Sequence, residues 1–206
     1  MCSSDLVQRG LRRSGLPVAY SNGFNPHILI TFASALSTGA CGKRELMDVR
    51  MAEEVTPEVF LQAMNHAMPS EMRLLGAKAV DDHAPALMAM LTDASYDLLI
   101  YDPLQAERLI AAIPGMLEQE MIPAVRKTKT GMKPCDIKPL IDMLYGEGQH
   151  LYATLRLREQ EACKPGMLVD ALREKAGVTE EVRMLITRTG LWGRNESGTL
   201  VPLEDL

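Results

Sequence analysis

One short segment of this sequence concentrates side chains that can contact a ligand. It carries two aromatic rings, two amides, a hydroxyl and an imidazole: Tyr20, Ser21, Asn22, Gly23, Phe24, Asn25, Pro26 and His27. Aromatic rings stack on flat ligands such as nucleobases, while amides and hydroxyls hydrogen-bond to their edges. The segment therefore predicts a loop that binds a planar substrate or presents groups to a partner domain.

The same loop has a purely structural interpretation. Asn22-Gly23 and Asn25-Pro26 are turn-forming pairs, the two asparagines can bond to their own backbone, and Phe24 can fill the core. The imidazole of His27 could act as an acid or base, although the neighbouring sequence offers it no partner. From the residues alone, these alternatives stay open.

A second segment, residues 126–138, concentrates positive charge in an acidic chain. Its five cations are Arg126, Lys127, Lys129, Lys133 and Lys138, against the single carboxylate of Asp136. The whole chain has 22 Lys and Arg against 27 Asp and Glu, a net charge of −5. Cations clustered against the overall sign indicate a site for phosphate or for an acidic surface. The alternative is a solvated hairpin tip.

The composition excludes several other classes of function. Cys2, Cys41, Cys135 and Cys163 lie at least 28 residues apart, too far for the close spacings of zinc ribbons and iron–sulfur loops. We therefore expect reduced thiols, no metal site and no cofactor held by this chain. No glycine pattern matches a phosphate-binding or dinucleotide-binding loop. Without an apolar run of membrane-spanning length or a signal core, the sequence predicts a cytoplasmic protein.

The first half of the chain shows five elements. Helices are expected at Ser3–Ser14 and from Thr56 onward, where Pro57 occupies the first helical position. Strands are expected at Ile28–Leu36, Glu45–Met51 and Met72–Val80, and the first two of these form a hairpin.

The second half alternates strands and helices. Strands are expected at Tyr96–Tyr101, Ile122–Lys127, Leu151–Leu157 and Val182–Thr187, and helices at Leu104–Leu117, Pro139–Leu144 and Pro165–Lys175. Apart from the short helix at residues 139–144, the order is strand, helix, strand, strand, helix, strand. That order is typical of a ferredoxin-like fold, with two helices on one face of an antiparallel sheet.

The sequence thus predicts an α+β protein built from tandem ferredoxin-like halves. Residues 1–80 form the first half, residues 81–94 a linker, and residues 95–206 the second half with a C-terminal tail. The first half has no candidate for its opening strand, which would leave neighbouring strands without ladder partners. We therefore expect the N-terminus to be truncated.

The run from Leu11 to His27 resembles the signature of the bacterial radical SAM-linked protein family, a domain of unknown function. The resemblance continues at Glu45–Val49, Arg126–Lys133, Asp136–Pro139, Lys164-Pro165 and Ile186–Trp192. It implies that this chain is encoded beside, or fused to, a radical SAM protein that often has a cobalamin-binding region. The sequence departs from the family at Ile28, where members usually have Pro, and at Ser37–Gly42, which replaces a more apolar stretch.

A radical SAM enzyme holds its iron–sulfur cluster on three closely spaced cysteines, which this chain does not have. We therefore expect a non-catalytic accessory module whose partner carries the cluster and SAM. The loop at residues 20–27 and the cations Arg126, Lys127, Lys129 and Lys133 would bind substrate or partner, with RNA as a candidate substrate. The alternatives are a small-molecule enzyme that uses His27 as acid or base, and a purely structural docking domain.

Overall fold

The computed structural model describes residues 3–128, 131–158 and 161–206. The protein is a mixed α+β protein with mainly antiparallel sheets, as the sequence predicted. It forms two compact units, one of Met1–Phe32 with Met47–Ala86 and the other of Ala33–Leu46 with Leu87–Leu206. None of the helices in the described ranges has the length and hydropathy that a membrane span requires.

The described helices and strands have the following bounds. The helices are α1 (Ser3–Arg13), α2 (Pro57–Ala67), α3 (Leu87–Met90), α4 (Pro103–Leu117) and α5 (Pro165–Lys175). The strands are β1 (Ile30–Phe32), β2 (Ala40–Gly42), β3 (Met47–Val49), β4 (Leu91–Ile100), β5 (Pro123–Thr128), β6 (Gly131–Asp136), β7 (Ile141–Glu147), β8 (His150–Arg156), β9 (Met184–Arg194) and β10 (Leu200–Pro202).

The first unit packs two helices with a short hairpin. Helix α2 begins where predicted, because the Thr56 side chain accepts a hydrogen bond from the Val59 backbone N–H at 3.4 Å. Pro57 suits the first helical position because it lacks a backbone N–H, which would have no partner inside the helix at that position. Strands β1 and β3 pair antiparallel, with Ile30 opposite Val49, which confirms the predicted pairing. Strand β1 is shorter than the predicted Ile28–Leu36, and the connection to β3 is not a simple turn, because it contains β2. Its small core is apolar and consists of Val7, Leu11, Val18, Ile28, Met64 and Met68.

The strand predicted at Met72–Val80 is wrong. A short 3₁₀ turn ends at Met72, and the following chain joins no ladder among the described residues. Instead, the Asn65 side chain on α2 accepts from the Leu74 N–H at 2.7 Å and donates to the Leu74 carbonyl at 3.1 Å. An amide side chain therefore satisfies backbone groups that a neighbouring strand would otherwise bond.

The second unit contains a sheet in which the strands run in the order β10-β9-β4-β8-β7, with β2 added beside β9. Helices α4 and α5 cover one face, and their buried residues Leu109 and Leu172 join Leu98 and Leu151 in one apolar core. Strand β4 begins at Leu91, five residues before the predicted start at Tyr96. The tail returns as β10, which pairs with β9.

Two expectations for the second half are wrong. The segment Ile122–Lys127 was expected in the main sheet, but β5 pairs with β6 in a separate two-stranded sheet. The helix expected at Pro139–Leu144 is a 3₁₀ turn that leads into strand β7. Strand β7 pairs with β8 across a tight turn in which Gly148 has a φ of 59°. Pairing with β8 therefore overrides the local helical preference.

Residues 33–46, which connect β1 to β3, belong to the second unit. Within them, β2 runs parallel to β9, with Cys41 beside Thr187. Arg188, only 2% exposed, fixes this segment: its guanidinium donates to both Glu45 carboxylate oxygens and to the Ser34 backbone carbonyl. Burial opposes the charge of Arg188, but the contacts with Glu45 outweigh burial and raise its pKa.

Substituting Glu45→Ala should lower the free energy of unfolding by about 3 kcal/mol, because it leaves the Arg188 charge buried without its carboxylate. Removing one partner of a fully buried ion pair costs about 3–5 kcal/mol. We expect the lower value here because the Glu45 side chain is 31% exposed. Urea denaturation measures the change. Glu107→Ala, at an exposed carboxylate on α4, is the control and should stay within about 0.5 kcal/mol of the unsubstituted protein. Equal effects of the two substitutions would contradict the role given to Glu45.

Candidate functional site

The loop at residues 20–27 lies in the first unit, between two short bridges. Tyr20 pairs with Ile28, and Val18 pairs with Met51. The Ser21 N–H donates to the His27 carbonyl at 2.8 Å, so the loop is closed at its base. Gly23 has a φ of 130°, a conformation that side chains disfavour. The loop therefore has a defined base and a projecting tip.

The aromatic rings of the loop face solvent. Phe24 is fully exposed, at 103% of its reference area, and Tyr20 is 47% exposed. The idea that Phe24 fills the core is therefore wrong. Within the described residues no hydrogen bond holds the side chains of Asn22 or Asn25, and both are exposed. These groups are free to contact a ligand.

His27 contacts its own loop. Its Nδ1 lies 2.8 Å from the Ser21 hydroxyl, which also accepts the His27 backbone N–H at 3.1 Å. Among the hydrogen bonds of the described residues, none joins this imidazole to a carboxylate that could orient it for catalysis. The geometry is that of a loop closure.

The basic segment forms the antiparallel hairpin of β5 and β6 in the second unit, and the hairpin separates its cations. Arg126 lies directly opposite Lys133, so both occupy the face that also carries the partly buried Ala124. Lys127 lies opposite Met132 on the other face, where both side chains are exposed. Lys129 lies outside the described residues.

One face of the hairpin borders a cleft of about 320 Å³. Its lining residues are Arg126, Cys135, Asp136, Pro139, Leu140, Arg156 and Glu161. Arg126 donates from Nη2 to the Ala162 carbonyl at 3.1 Å, and Asp136 accepts the Ile122 and Lys138 backbone N–H groups at 2.9 Å each. The Lys138 ammonium donates to the Gln119 carbonyl, so this cation helps to hold the hairpin base.

Arg156 is the cleft residue that sequence reasoning missed. Its Nε lies 3.3 Å from the carboxylate of Asp93, which is 1% exposed, and Arg194 approaches the same carboxylate at 3.4 Å. Arg194 also donates to Asp142 at 3.0 Å, so the two arginines and two carboxylates form a charge-balanced network that fixes Arg156 at the edge of the cleft. The alternation of residues 151–157 placed Arg156 on the face opposite Leu151 and Leu155, but only the register of β8 against β4 shows that Asp93 is its partner.

The buried thiol of Cys163 is not suited to nucleophilic chemistry. Cys163 is buried, and burial raises the pKa of its thiol to about 12. It therefore stays protonated at neutral pH, whereas attack requires the thiolate. In the part of the chain that the structure describes, no three His, Cys, Asp or Glu side chains converge as metal ligands would.

Comparison with known families gives one match. Residues 4–165 match a family described as "Uncharacterized protein conserved in bacteria (DUF2344)". The chain belongs to this family. The matched part of the DUF2344 protein contains the loop at residues 20–27, both strands of the basic hairpin and every residue that lines the cleft. No curated protein and no solved structure matches the chain.

Proposed function

We propose that this protein is a non-catalytic, cytoplasmic accessory module that works with a radical SAM protein and holds its substrate, for which RNA is our candidate. The link to radical SAM chemistry comes from the resemblance of the Leu11–His27 run to the radical SAM-linked family. The partner would carry the iron–sulfur cluster and SAM, and some such partners have a cobalamin-binding region.

The observation that carries the RNA proposal is the complete exposure of Phe24 at the tip of a loop with a closed base. Rings on proteins that bind single-stranded RNA stack on bases without strong sequence preference. Tyr20 offers a second, half-exposed ring in the same loop. These two rings would supply affinity that does not depend on charge.

The exposed lysines of the hairpin supply the second part of the argument. Lys127 and Lys133 are exposed, so each can reach a phosphate at little desolvation cost. The adjoining cleft is lined by Arg126 and Arg156 but also by Asp136 and Glu161, so the exposed lysines carry the electrostatic part of the argument. Together the cations would supply salt-dependent affinity.

We also propose that the second unit is ferredoxin-like. Leaving the β5–β6 hairpin aside, its elements follow the order β4, α4, β7, β8, α5, β9, and the sheet order is β9-β4-β8-β7. Ferredoxin-like scaffolds are common among proteins that handle RNA, and this analogy in architecture favours RNA over a small substrate.

Substituting Lys127 and Lys133 together with Ala should reduce the salt dependence of RNA binding. Each lost phosphate contact lowers the slope of log K against log salt by about 0.7 for a single strand, so the pair should lower it by about 1.4. Fluorescence anisotropy with labelled oligouridylate at several salt concentrations measures the slope. A matched control replaces Lys43 and Lys175, two exposed lysines of the same unit, and should leave the slope unchanged.

Substituting Phe24→Ala should weaken oligouridylate binding by about fivefold or more, because stacking on one base contributes about 1 kcal/mol or more. The salt slope should stay the same, since no charge is removed. Leu75→Ala, at another exposed apolar residue of the first unit, serves as the control. If the Phe24 and Leu75 variants bind RNA equally, the loop does not stack on bases.

Co-expression with the radical SAM protein encoded beside this chain should give a complex that elutes as one peak in size-exclusion chromatography. A radical SAM protein from elsewhere in the same genome is the control and should elute separately. RNA in the complex peak supports the accessory role with RNA as substrate. A complex without RNA favours the docking alternative, and product formation by this chain alone favours the enzyme alternative.

A further inference from the structure

The sheet of the second unit has a second face, opposite its helices, that the proposed function does not use. Successive side chains of a strand point to opposite faces, so Tyr152 on β8 points away from the core that buries Leu151 and Ala153. Tyr152 lies opposite Asp97 of β4 on one side and opposite Tyr145 of β7 on the other. These three residues therefore lie side by side on the helix-free face.

Three rings form a continuous stack on this face. The Tyr145 and Tyr152 ring centroids are 4.9 Å apart with an interplanar angle of 26°, and those of His150 and Tyr152 are 5.8 Å apart at 9°. Asp97 orients the imidazole, because its Oδ1 lies 2.6 Å from His150 Nδ1. Tyr145 is the outer ring, on the last strand of the sheet, and is 47% exposed.

Negative charge surrounds the stack. Glu147 lies opposite His150 on β7 and is exposed, and Asp97 lies beside Tyr152 on β4. Burial raises the pKa of Tyr152, and the charges of Asp97 and Glu147 raise it further. The face of an aromatic ring is itself the negative end of its quadrupole. An anion is therefore repelled here, whereas a cation meets both rings and carboxylates.

Strand β7 also ends the sheet. It pairs with β8 on one side, and no other strand of the described residues pairs with its second side. Its exposed residues include Met143 and Tyr145, at 41% and 47%. The backbone groups of an unpaired edge can accept an extended segment, and alternate side chains of that segment then lie over the sheet face.

We propose that this face binds an extended, arginine-bearing segment of a partner protein. A guanidinium is planar, stacks on the open side of Tyr145 and pairs with the Glu147 carboxylate two residues along the same strand. This surface is distinct from the cationic hairpin, and its charge selects the opposite kind of ligand.

The test uses a fluorescein-labelled peptide of sequence Gly-Arg-Val-Arg-Val-Arg-Gly and the full chain, with binding followed by anisotropy. Substituting Tyr145→Leu should weaken binding about two- to fivefold, whereas Tyr145→Phe, which keeps the ring, should bind as the unsubstituted protein does. Glu147→Gln should weaken binding to a similar extent. Glu107→Gln removes one exposed carboxylate from α4 and should leave the affinity unchanged.

Two controls separate this site from general attraction to an acidic protein. A peptide with citrulline in place of arginine keeps the shape without the charge and should bind more weakly to the unsubstituted protein. Unchanged urea midpoints of the variants show that they are folded. Equal binding by all variants, or equal losses for Glu147→Gln and Glu107→Gln, would overturn the proposal. Weaker oligouridylate binding by Tyr145→Leu, with peptide binding unchanged, would show that the face stacks on nucleobases instead.

Discussion

The buried guanidinium of Arg188 is the interaction on which the second unit most depends. Arg188 is 2% exposed and bonds to Glu45 and to the backbone of Ser34. Both residues lie in the segment that connects strands β1 and β3. Strand β2 itself contributes no buried side chain, so apolar packing cannot hold it in place. A charged group taken out of water must keep its partners, so Arg188 holds this segment together with the β2–β9 ladder and the packing of Ala33 and Leu46 against the core.

The alternation of side chains along the strands of the same sheet separates an apolar face, covered by the helices, from a polar and aromatic face. Leu98 must face the helices to complete the core, and Asp97, as its neighbour, must face the other way. The helix-free face therefore collects polar and aromatic residues of neighbouring strands, with Asp93 between two arginines at one end and the Tyr145 stack at the other. One acidic chain can thus present a cationic hairpin and an anionic sheet face.

Local signals predicted the elements that local physics controls. The Thr56 cap and Pro57 placed the start of α2, Pro165 placed the start of α5, and the alternation of residues 151–157 predicted β8. Failures came where a partner decides the conformation. Residues 141–144 became a strand because β8 lies beside them, and residues 73–80 did not, because Asn65 replaced a ladder.

The sequence by itself determined which groups the candidate sites contain: the rings and amides of residues 20–27, and the excess of cations between Arg126 and Lys138. Only the tertiary structure decided how they are presented. It exposed Phe24, placed Arg126 in one cleft with Arg156, and brought His150 to Asp97, 53 residues away. The residue types within one short segment can be read directly from the sequence. Contacts between distant residues depend instead on strand register and on the burial of one face of each strand.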